Sequence, residues 1–425
     1  MNGRKSIDTF LRKAISVEEA LSLVLENIRV MQVEKVPLMH SIGRTLAVEL
    51  NAPQPIPHFR RSGMDGFAVR SADTHEASLK NPVTLQIIDD IPAGTVSQKT
   101  LAPGQCIRIM TGGAVPEGAD AVIKYEMTEE ESQSDGTLLC KVKGAVRIGE
   151  NVSPIGDELK QNETVLPAGK QIGAGEIALL AMFGIEVVPV YKQPRVAILA
   201  TGAELLRVEE ALQPGRIRNS NAYLLAGAIT EMGGIPFVLD HIPDDLEIAK
   251  QMILEAIPDY DVIVTTGGVS VGDHDIIYDL TQAWDGDLKF NKVLMRPGSP
   301  TTFGVWHGKP IFALSGNPSA CYVGSRLFLR PALRAMLGGS LKPESRLSAT
   351  LTEDYLKSDR CTRFVRGIVS EQEGRLVAAP LGYDQSSSTV SLRDANALIC
   401  LPGSPHGYKT GAQIEVIPLK EIHSN

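Results

Sequence analysis

The sequence predicts a multidomain chain in which an α/β domain with a parallel sheet lies between β-rich regions. Three observations carry this. A chain of 425 residues is long for one hydrophobic core, so roughly two to four domains are expected. Between about residues 191 and 340, apolar runs alternate with amphipathic stretches, the pattern of strands and helices in a sheet covered on both faces. On either side, short alternating runs are cut by Gly, Pro and Asp turns, which is β-domain texture.

Taken in order, SVEEALSLVLENI (16–28) offers Ser16 as an N-cap with Glu19 three residues on, then apolar residues at helical spacing. From 50 to 150 the runs VTLQIID, CIRIMTG, DAVIKYE and TLLCKVK are separated by IPAG, LAPG, VPEGAD and SDG, giving a small β domain. AGEIALLAMFG (174–184) reads as a helix. The α/β strands are RVAILATG, IPFVLDH, YDVIVTTGG, LKFNKVLM and PIFALSG. Their helices are NAYLLAGAITEMGG, DLEIAKQMILEAI and HDIIYDLTQAW, and PSACYVGSRLFLRPALRAML closes the series. After LKPES, the runs RLSATLTE, TRFVRGIVSEQ, GRLVAAPL, NALICLP and AQIEVIPL imply a C-terminal β domain of about eighty residues.

Composition narrows the function. Aromatic residues make up 5% of the chain and the net charge is −8, which argues against nucleic-acid binding. Five cysteines, far apart and without a CxxC pair, argue against a disulfide framework or structural zinc site. The polar amino terminus lacks a signal-peptide core, and IALLAMFGI (177–185) is too short to span a bilayer. A cytoplasmic protein with no membrane contact is expected.

Three polar loops follow apolar runs within sixty-four residues: DVIVTTGGVSVGDHD (261–275), KVLMRPGSPTTFG (292–304) and PIFALSGNPSACYVG (310–324). Loops at the carboxyl ends of parallel strands converge on one crevice, where ligands bind. Gly267 and Gly268 lack Cβ atoms, so their N–H groups can approach a ligand. Asp273 and Asp275 precede a helix, where carboxylates serve as caps; Asp275 also suits Mg²⁺ beside a phosphate. Asn317 before Pro318 marks a helix start that, with Ser315, Gly316 and Ser319, can also receive an anion. Arg296 matches phosphate geometry, or is a solvated surface charge. ATGAEL places Glu204 at a strand end without the GxGxxG of a dinucleotide fold, and no GxxxxGK[ST] occurs. In PDD (243–245), Asp244 is expected as helix cap and candidate ligand. PQPIPHFRRSGMDGFAV (53–69) reads as a hairpin tip at Asp65–Gly66, although Ser62, Asp65, Arg60 and Arg61 would also make a lid over an anion.

Together SGMDGFAV, CIRIMTGGAVPEGADAV, ATGAEL, TTGGVSVGDHD, RPGSPTTFG and LSGNPSA resemble, in that order, the molybdopterin molybdenumtransferase family (MoeA type, with the gephyrin C-terminal domain). The resemblance spans essentially the whole chain. It implies a hinge and dimerisation domain (1–50 with 146–190), a β domain carrying MDGFAV (51–145), a MogA/MoaB-like three-layer α/β molybdopterin-binding domain (191–340) and a C-terminal β barrel (341–425). It implies a homodimer whose cleft joins the α/β domain of one subunit to the MDGFAV domain of the other. The implied reaction inserts molybdate into adenylylated molybdopterin with Mg²⁺, giving molybdenum cofactor and AMP.

By position, Asp65, Glu204, Asp244 and Asp275 match the family's acidic cleft residues, with Glu204, Asp244 and Asp275 as metal ligands. Ser62, Thr201, Gly202, Gly267, Gly268, Ser270, Arg296, Pro297, Ser299, Pro300, Ser315, Gly316 and Asn317 match its pterin- and phosphate-binding loops. Ser386 and Ser391 fall in a serine-rich segment facing the cleft in relatives. Two positions depart: relatives commonly read PGKP where this chain has PGSP, placing Ser299 for a cation that Arg296 or Lys292 would have to replace. The common GED reads GDE, placing Glu158 for Asp. A molybdopterin adenylyltransferase and molybdoenzyme-maturation proteins are the implied partners. The alternatives are a tungstate-preferring paralogue, a non-catalytic molybdopterin-binding scaffold, and an enzyme that adenylylates molybdopterin or cleaves a nucleotide pyrophosphate.

Overall fold

The computed structural model describes residues 13–422 apart from Ala93, Asp244, 269–278, 282–284, 340–344, Tyr383 and Glu421. Two helices outside the α/β region form as their sequences predict. In α1 (Val17–Glu26) the Ser16 hydroxyl accepts the Glu19 N–H at 3.0 Å, satisfying one of the orphan donors of the first turn. Helix α2 spans Ala174–Met182. Two compact units divide the chain. The smaller takes Val48–Pro167 and Ala174–Glu186, the larger the rest.

The smaller unit is built on a six-stranded sheet. Its strands are β2 (Gly66–Val69), β3 (Val83–Ile91), β4 (Gln105–Ile109), β5 (Ala121–Lys124), β6 (Thr128–Ser132) and β7 (Leu138–Val142), in the order β5-β2-β4-β3-β7-β6. Alternate residues fill its two faces. Phe67, Val69, Leu85, Cys106 and Ile123 share one cluster, and Ala68, Ile107, Ile109 and Val122 the other.

The Asp65–Gly66 turn is not the hairpin tip its sequence suggests. The short strand before it, β1 (Arg61–Ser62), pairs instead with β8 (Val152–Ser153), while β2 pairs with β4 and β5. Gly66 is demanded by packing: a Cβ there would lie 2.0 Å from the Ile123 carbonyl oxygen. The same Gly therefore signals close strand approach rather than a turn.

In the larger unit a second six-stranded sheet runs β12-β9-β13-β17-β16-β14. These strands are β9 (Arg195–Ala200), β12 (Ile235–Val238), β13 (Val262–Thr266), β14 (Asp287–Phe290), β16 (Thr302–Trp306) and β17 (Lys309–Leu314); the short β10 (Leu205–Leu206) and β11 (Ile217–Arg218) pair parallel with each other outside this sheet. Residues of β9 and β13 alternate between a cluster with Val196, Ile198, Val262 and Val264 and one with Ala197, Leu199 and Ile263. Both faces are covered, which is why these strands read as unbroken apolar runs. Helix α3 (Ser220–Glu231) packs on the first face and α4 (Leu246–Ala256) on the second. The cap of α4 is Asp245, whose carboxylate accepts the Ile248 N–H at 3.0 Å, and not Asp244, which lies outside the described residues.

The sheet is parallel only across β12, β9, β13 and β17; β16 runs antiparallel to β17 and to β14. The run TTFGVW is thus a strand rather than loop. It joins β17 through His307 and Gly308, with φ of 47° and 77°, the left-handed pair of a two-residue hairpin. LKFNKVLM is likewise not one strand. It divides into β14 and β15 (Met295–Arg296), and β15 leaves the α/β sheet to pair parallel with Thr362 and Arg363.

Beyond β17, α5 (Pro318–Gly324) and α6 (Arg330–Met336) are joined by a π-turn over Ser325–Leu329. Pro331 removes a helical donor there, and the wider turn accommodates it. The C-terminal strands are β18 (Leu347–Leu351), β19 (Thr362–Gln372), β20 (Arg375–Pro380), β21 (Ala397–Leu401) and β22 (Gln413–Pro418). They close a five-stranded barrel in the cyclic order β19-β20-β18-β22-β21, with β21 pairing back to β19. Its interior holds Leu351, Val365, Val369, Ala378, Ile399 and Val416. All five cysteines are free. No helix among the described residues is long and apolar enough to cross a membrane.

Candidate functional site

From β9 the chain moves outward to β12 and then returns across to β13, so the loops after β9 and β13 part in opposite directions. Such a switch point opens a crevice at the strand ends. A cavity of about 1090 Å³ lies there. Thr201, Gly202 and Glu204 line it after β9, Thr266, Gly267 and Gly268 at the end of β13, and Ser315, Gly316 and Asn317 after β17. Arg296, Pro297, Ser299 and Pro300 form another wall, and the barrel contributes Arg363, Arg366, Asp384 and Ser386.

Glycines bring the sheet loops together. Gly267 has φ 94°, and a Cβ there would meet the Thr201 carbonyl oxygen at 2.4 Å. A Cβ on Gly316 would meet the Gly267 Cα at 3.3 Å. Close contact between neighbouring loops, before any ligand is considered, therefore requires these residues. Gly202 leaves a notch occupied by the Glu204 carboxylate, whose oxygens lie 2.5 and 2.7 Å from where a Cβ would be. Glu204 is exposed; its backbone carbonyl accepts the Ile217 N–H at 2.9 Å, and its carboxylate receives no hydrogen bond from the described residues.

Asn221, in the first turn of α3, ties three elements together. Its Nδ2 donates to Thr266 Oγ1 at 2.9 Å and to the Gly316 carbonyl at 2.8 Å. Its Oδ1 is buried with no hydrogen-bond partner among the described residues.

The barrel wall is a charged network. Arg363 pairs with Asp359 at 2.7 Å and Asp384 at 3.3 Å, and its Nε donates to the Tyr355 hydroxyl at 2.9 Å. Tyr355 donates to Asp384, and burial, then that carboxylate, raises its pKa. Lys357 reaches Asp384 at 3.1 Å and Arg296 reaches Asp359 at 3.3 Å. Burial works against ionisation of Asp359, but the Cys361 N–H and the Arg363 guanidinium hold its pKa below the usual value. Arg366, 1% exposed, donates through Nε to Ser391 Oγ at 2.8 Å and through Nη2 to the Gln385 carbonyl at 3.1 Å, and lies 3.8 Å from Asp384. Burial lowers its pKa while Asp384 opposes that. Four cations thus share two carboxylates, leaving surplus positive charge beside the cavity.

The serine-rich segment is pinned between barrel and sheet. Ser319 donates its N–H to the Ser386 carbonyl at 3.0 Å and its hydroxyl to the Ser388 carbonyl at 2.8 Å. With Pro318 lacking an N–H, neither of the first two residues of α5 keeps a free backbone donor. Asn317 stands at the N-cap position, but its side chain makes no capping hydrogen bond. Ser391 does not line the cavity; it serves Arg366 instead. Ser299 clasps its own loop: its hydroxyl donates to the Val293 carbonyl at 2.8 Å, and the Val293 N–H returns to the Ser299 carbonyl at 2.8 Å. Lys292 is not among the lining residues, whereas Arg296 is.

Asp65 and Ser62 belong to the smaller unit. One oxygen of the exposed Asp65 carboxylate accepts both the Thr111 N–H (2.6 Å) and the Thr111 hydroxyl (2.7 Å), and these bonds, the backbone one foremost, lower its pKa. Ser62 is buried and donates to the Met64 carbonyl at 2.6 Å, bracing the turn. Neither arginine is free to form a lid. Arg60 donates to the Ala119 carbonyl at 3.0 Å and Arg61 pairs with Glu158.

Asp244, Ser270, Asp273 and Asp275 lie outside the described residues. Among the described residues no three His, Cys, Asp or Glu side chains gather as a metal site. Among the described lining residues only Glu204 keeps uncommitted carboxylate oxygens, the donors a hard divalent ion takes. The sequence reading passed over Asn221, Arg363, Arg366 and Asp384. A signal for the arginines existed, because TRFVRGIV sets two guanidiniums into a barrel strand that is otherwise largely apolar.

Comparison with known proteins identifies three matching family regions. Residues 15–184 match the MoeA N-terminal region (domain I and II), 197–335 a probable molybdopterin binding domain, and 348–419 the MoeA C-terminal region (domain IV). The molybdopterin molybdenumtransferase of Bacillus subtilis (strain 168) is 44% identical over 410 residues, covering 96% of this chain and 95% of that protein. That of Staphylococcus epidermidis (strain RP62A) is 40% identical over 407 residues, with 96% of each chain covered. The crystal structure of the molybdopterin biosynthesis moeA protein from Pyrococcus horikoshii OT3 matches with a TM-score of 0.81 at 30% identity, covering 96% of this chain and 100% of that one.

Proposed function

The chain belongs to the MoeA family, and on that premise we propose that it is a molybdopterin molybdenumtransferase acting with Mg²⁺ on adenylylated molybdopterin and molybdate. The observation that carries this reading is the cavity itself, with Glu204 on its sheet wall and Arg296, Arg363 and Arg366 on the other. Both substrates are anions, and bringing them together costs Coulomb energy that fixed cations offset. The arginines, buried or held by Asp359 and Asp384, are oriented before the substrates arrive, so little reorganisation is needed. The glycine-lined floor admits a flat ring close to the backbone of Gly267 and Gly316.

Glu204, with Asp244 and Asp275 by resemblance, would hold the Mg²⁺. When bound, such an ion neutralises phosphate oxygens. Asp65 enters through the same resemblance as a further acidic residue of the reaction. We also read the protein as a cytoplasmic homodimer that receives its substrate from a molybdopterin adenylyltransferase and passes its product to molybdoenzyme-maturation proteins. The four-part domain division expected from the sequence stands as part of this proposal.

The test is turnover of adenylylated molybdopterin, with molybdate or tungstate and with or without Mg²⁺, followed by release of AMP. Oxyanion-dependent AMP release that needs Mg²⁺ is expected, with molybdate preferred. AMP release that ignores both additions would reject the assignment.

A further inference from the structure

Tyr355 stands behind the barrel wall of the cavity and reaches it through one atom. The lining residues include Arg363 and Asp384 but not Tyr355, which is 7% exposed. Its hydroxyl lies between those two side chains. Arg363 Nε can only donate, so the Tyr355 oxygen 2.9 Å away accepts there. The phenol hydrogen is then left for the Asp384 carboxylate, which can only accept. Burial and that carboxylate raise the pKa of the phenol, so it keeps the hydrogen at neutral pH and both bonds persist. The backbone fixes where this oxygen sits. Tyr355 and Tyr408 exchange N–H to carbonyl bonds, both at 2.8 Å, and a Cβ on Gly407 would collide with the Tyr355 carbonyl oxygen.

Arg363 is thus held at three points: Nε by Tyr355, Nη1 by Asp359 at 2.7 Å and Nη2 by Asp384 at 3.3 Å. Two of these partners are carboxylates, and each cancels charge that an incoming anion would use. The third is neutral. It sets the guanidinium plane without lowering the positive charge of the wall. An arginine free to turn must be ordered when the anion arrives, which weakens binding. Each Nη also carries a second hydrogen beyond the one it gives to a carboxylate. We propose that Tyr355 is a positioning residue for molybdenum insertion, acting through Arg363 to hold the guanidinium plane in the attitude that receives a tetrahedral oxyanion. This rests on the reading of the barrel guanidiniums as the wall that serves anions.

Molybdate-dependent AMP release by the full-length protein tests this in Tyr355→Phe, Tyr408→Phe, Arg363→Lys and the double variant Tyr355→Phe/Arg363→Lys. Tyr408 is the matched control, because its hydroxyl donates to the Pro402 carbonyl at 2.9 Å rather than to the charged network. Tyr355→Phe should raise the molybdate half-saturation at least about fivefold and lower turnover at saturating molybdate by a smaller factor. Tyr408→Phe should shift half-saturation less than about twofold, a difference that a merely structural role would not produce. In the Arg363→Lys background, where no Nε remains, Tyr355→Phe should add less than about twofold. Equal shifts in the two Phe variants, or an undiminished Tyr355→Phe effect beside Lys, overturn the positioning role. A raised half-saturation in Arg363→Lys with none in Tyr355→Phe overturns Tyr355 alone and leaves the barrel wall as read. An unchanged half-saturation in Arg363→Lys, or no molybdate-dependent release by the wild type, overturns both. Should Tyr355→Phe lose its cooperative thermal transition, 3-fluorotyrosine in place of Tyr355 keeps the ring and weakens the oxygen as an acceptor. An unshifted half-saturation with it overturns the role.

Discussion

The two halves of the cavity are built by opposite means. The sheet half presents loops from β9, β13 and β17 whose shape is set by glycine and by backbone hydrogen bonds, such as Thr201 N–H to Thr266 O at 2.9 Å. It has one exposed carboxylate among the described residues, Glu204, set in the Gly202 notch. The barrel half presents charge: buried or partly buried guanidiniums held by Asp359 and Asp384. Backbone geometry makes a surface that fits a ring, whereas a rigid charged network makes one that attracts anions. Molybdenum insertion into molybdopterin calls for both. The difference also predicts how each half fails, because a buried charge is costly to orphan and a clasped loop is not.

Arg366 should show the largest effect. Replacing it with Leu leaves Asp384 with one fewer cation and the Ser391 hydroxyl and Gln385 carbonyl without their donor. Removing one member of a buried pair costs about 3–5 kcal/mol, which thermal or urea unfolding will register. Arg366→Lys keeps the charge but not the fork, so it should remain folded yet bind the oxyanion more weakly. If Lys matched Arg in both stability and oxyanion half-saturation, planar recognition on the barrel wall would be wrong.

A pH effect comes next. The Asp354 carboxylate accepts from the Thr410 N–H (2.8 Å) and hydroxyl (3.0 Å) and from Lys409 (3.0 Å), and its pKa falls to about 2. Asp359 is lowered as well. A carboxyl group whose folded pKa lies below its unfolded value of about 3.9 contributes stability above that value and loses it as pH falls through the folded pKa. The melting temperature should therefore drop between about pH 4 and about 2, and less steeply in Asp354→Asn. An unchanged slope in the variant would remove Asp354 from the account.

The smallest effect is expected at Ser299. Ser299→Lys introduces the cation that the family resemblance implies there and breaks the hydroxyl bond to Val293, worth about 0.5–1.5 kcal/mol. Slight destabilisation with tighter oxyanion binding would mean that the present arginines leave room for another charge. Unchanged oxyanion binding would mean that Arg296, Arg363 and Arg366 already suffice.

Much of the fold was legible because both-face burial leaves a plain mark: β9, β13 and β17 are largely apolar runs, and the barrel strands are short runs cut by turns. Capping chemistry located α1 through Ser16 and Glu19. What escaped depended on tertiary partners. β15 looked like the tail of β14 because leaving one sheet for another has no local signature. β16 was hidden by its proline-rich approach, although the His307–Gly308 hairpin beside it was readable. Gly66 and Gly267 were visible as glycines, but the carbonyl oxygens that exclude a Cβ come from residues 57 and 66 positions away. In the site, the glycine and serine loops announced themselves through motifs. Arg366 and Asn221 did not, since their roles follow from Asp384, Ser391, Thr266 and Gly316, which only folding brings near.

The central claim is that the two walls divide the work, the sheet carboxylate serving a divalent cation and the barrel guanidiniums serving anions. Molybdate-dependent AMP release titrated with Mg²⁺, in wild type and in Glu204→Gln, tests it most directly. The variant should fold normally and keep its molybdate half-saturation, yet need at least about tenfold more Mg²⁺ or lose turnover altogether. Superimposable Mg²⁺ curves for the two proteins would contradict it.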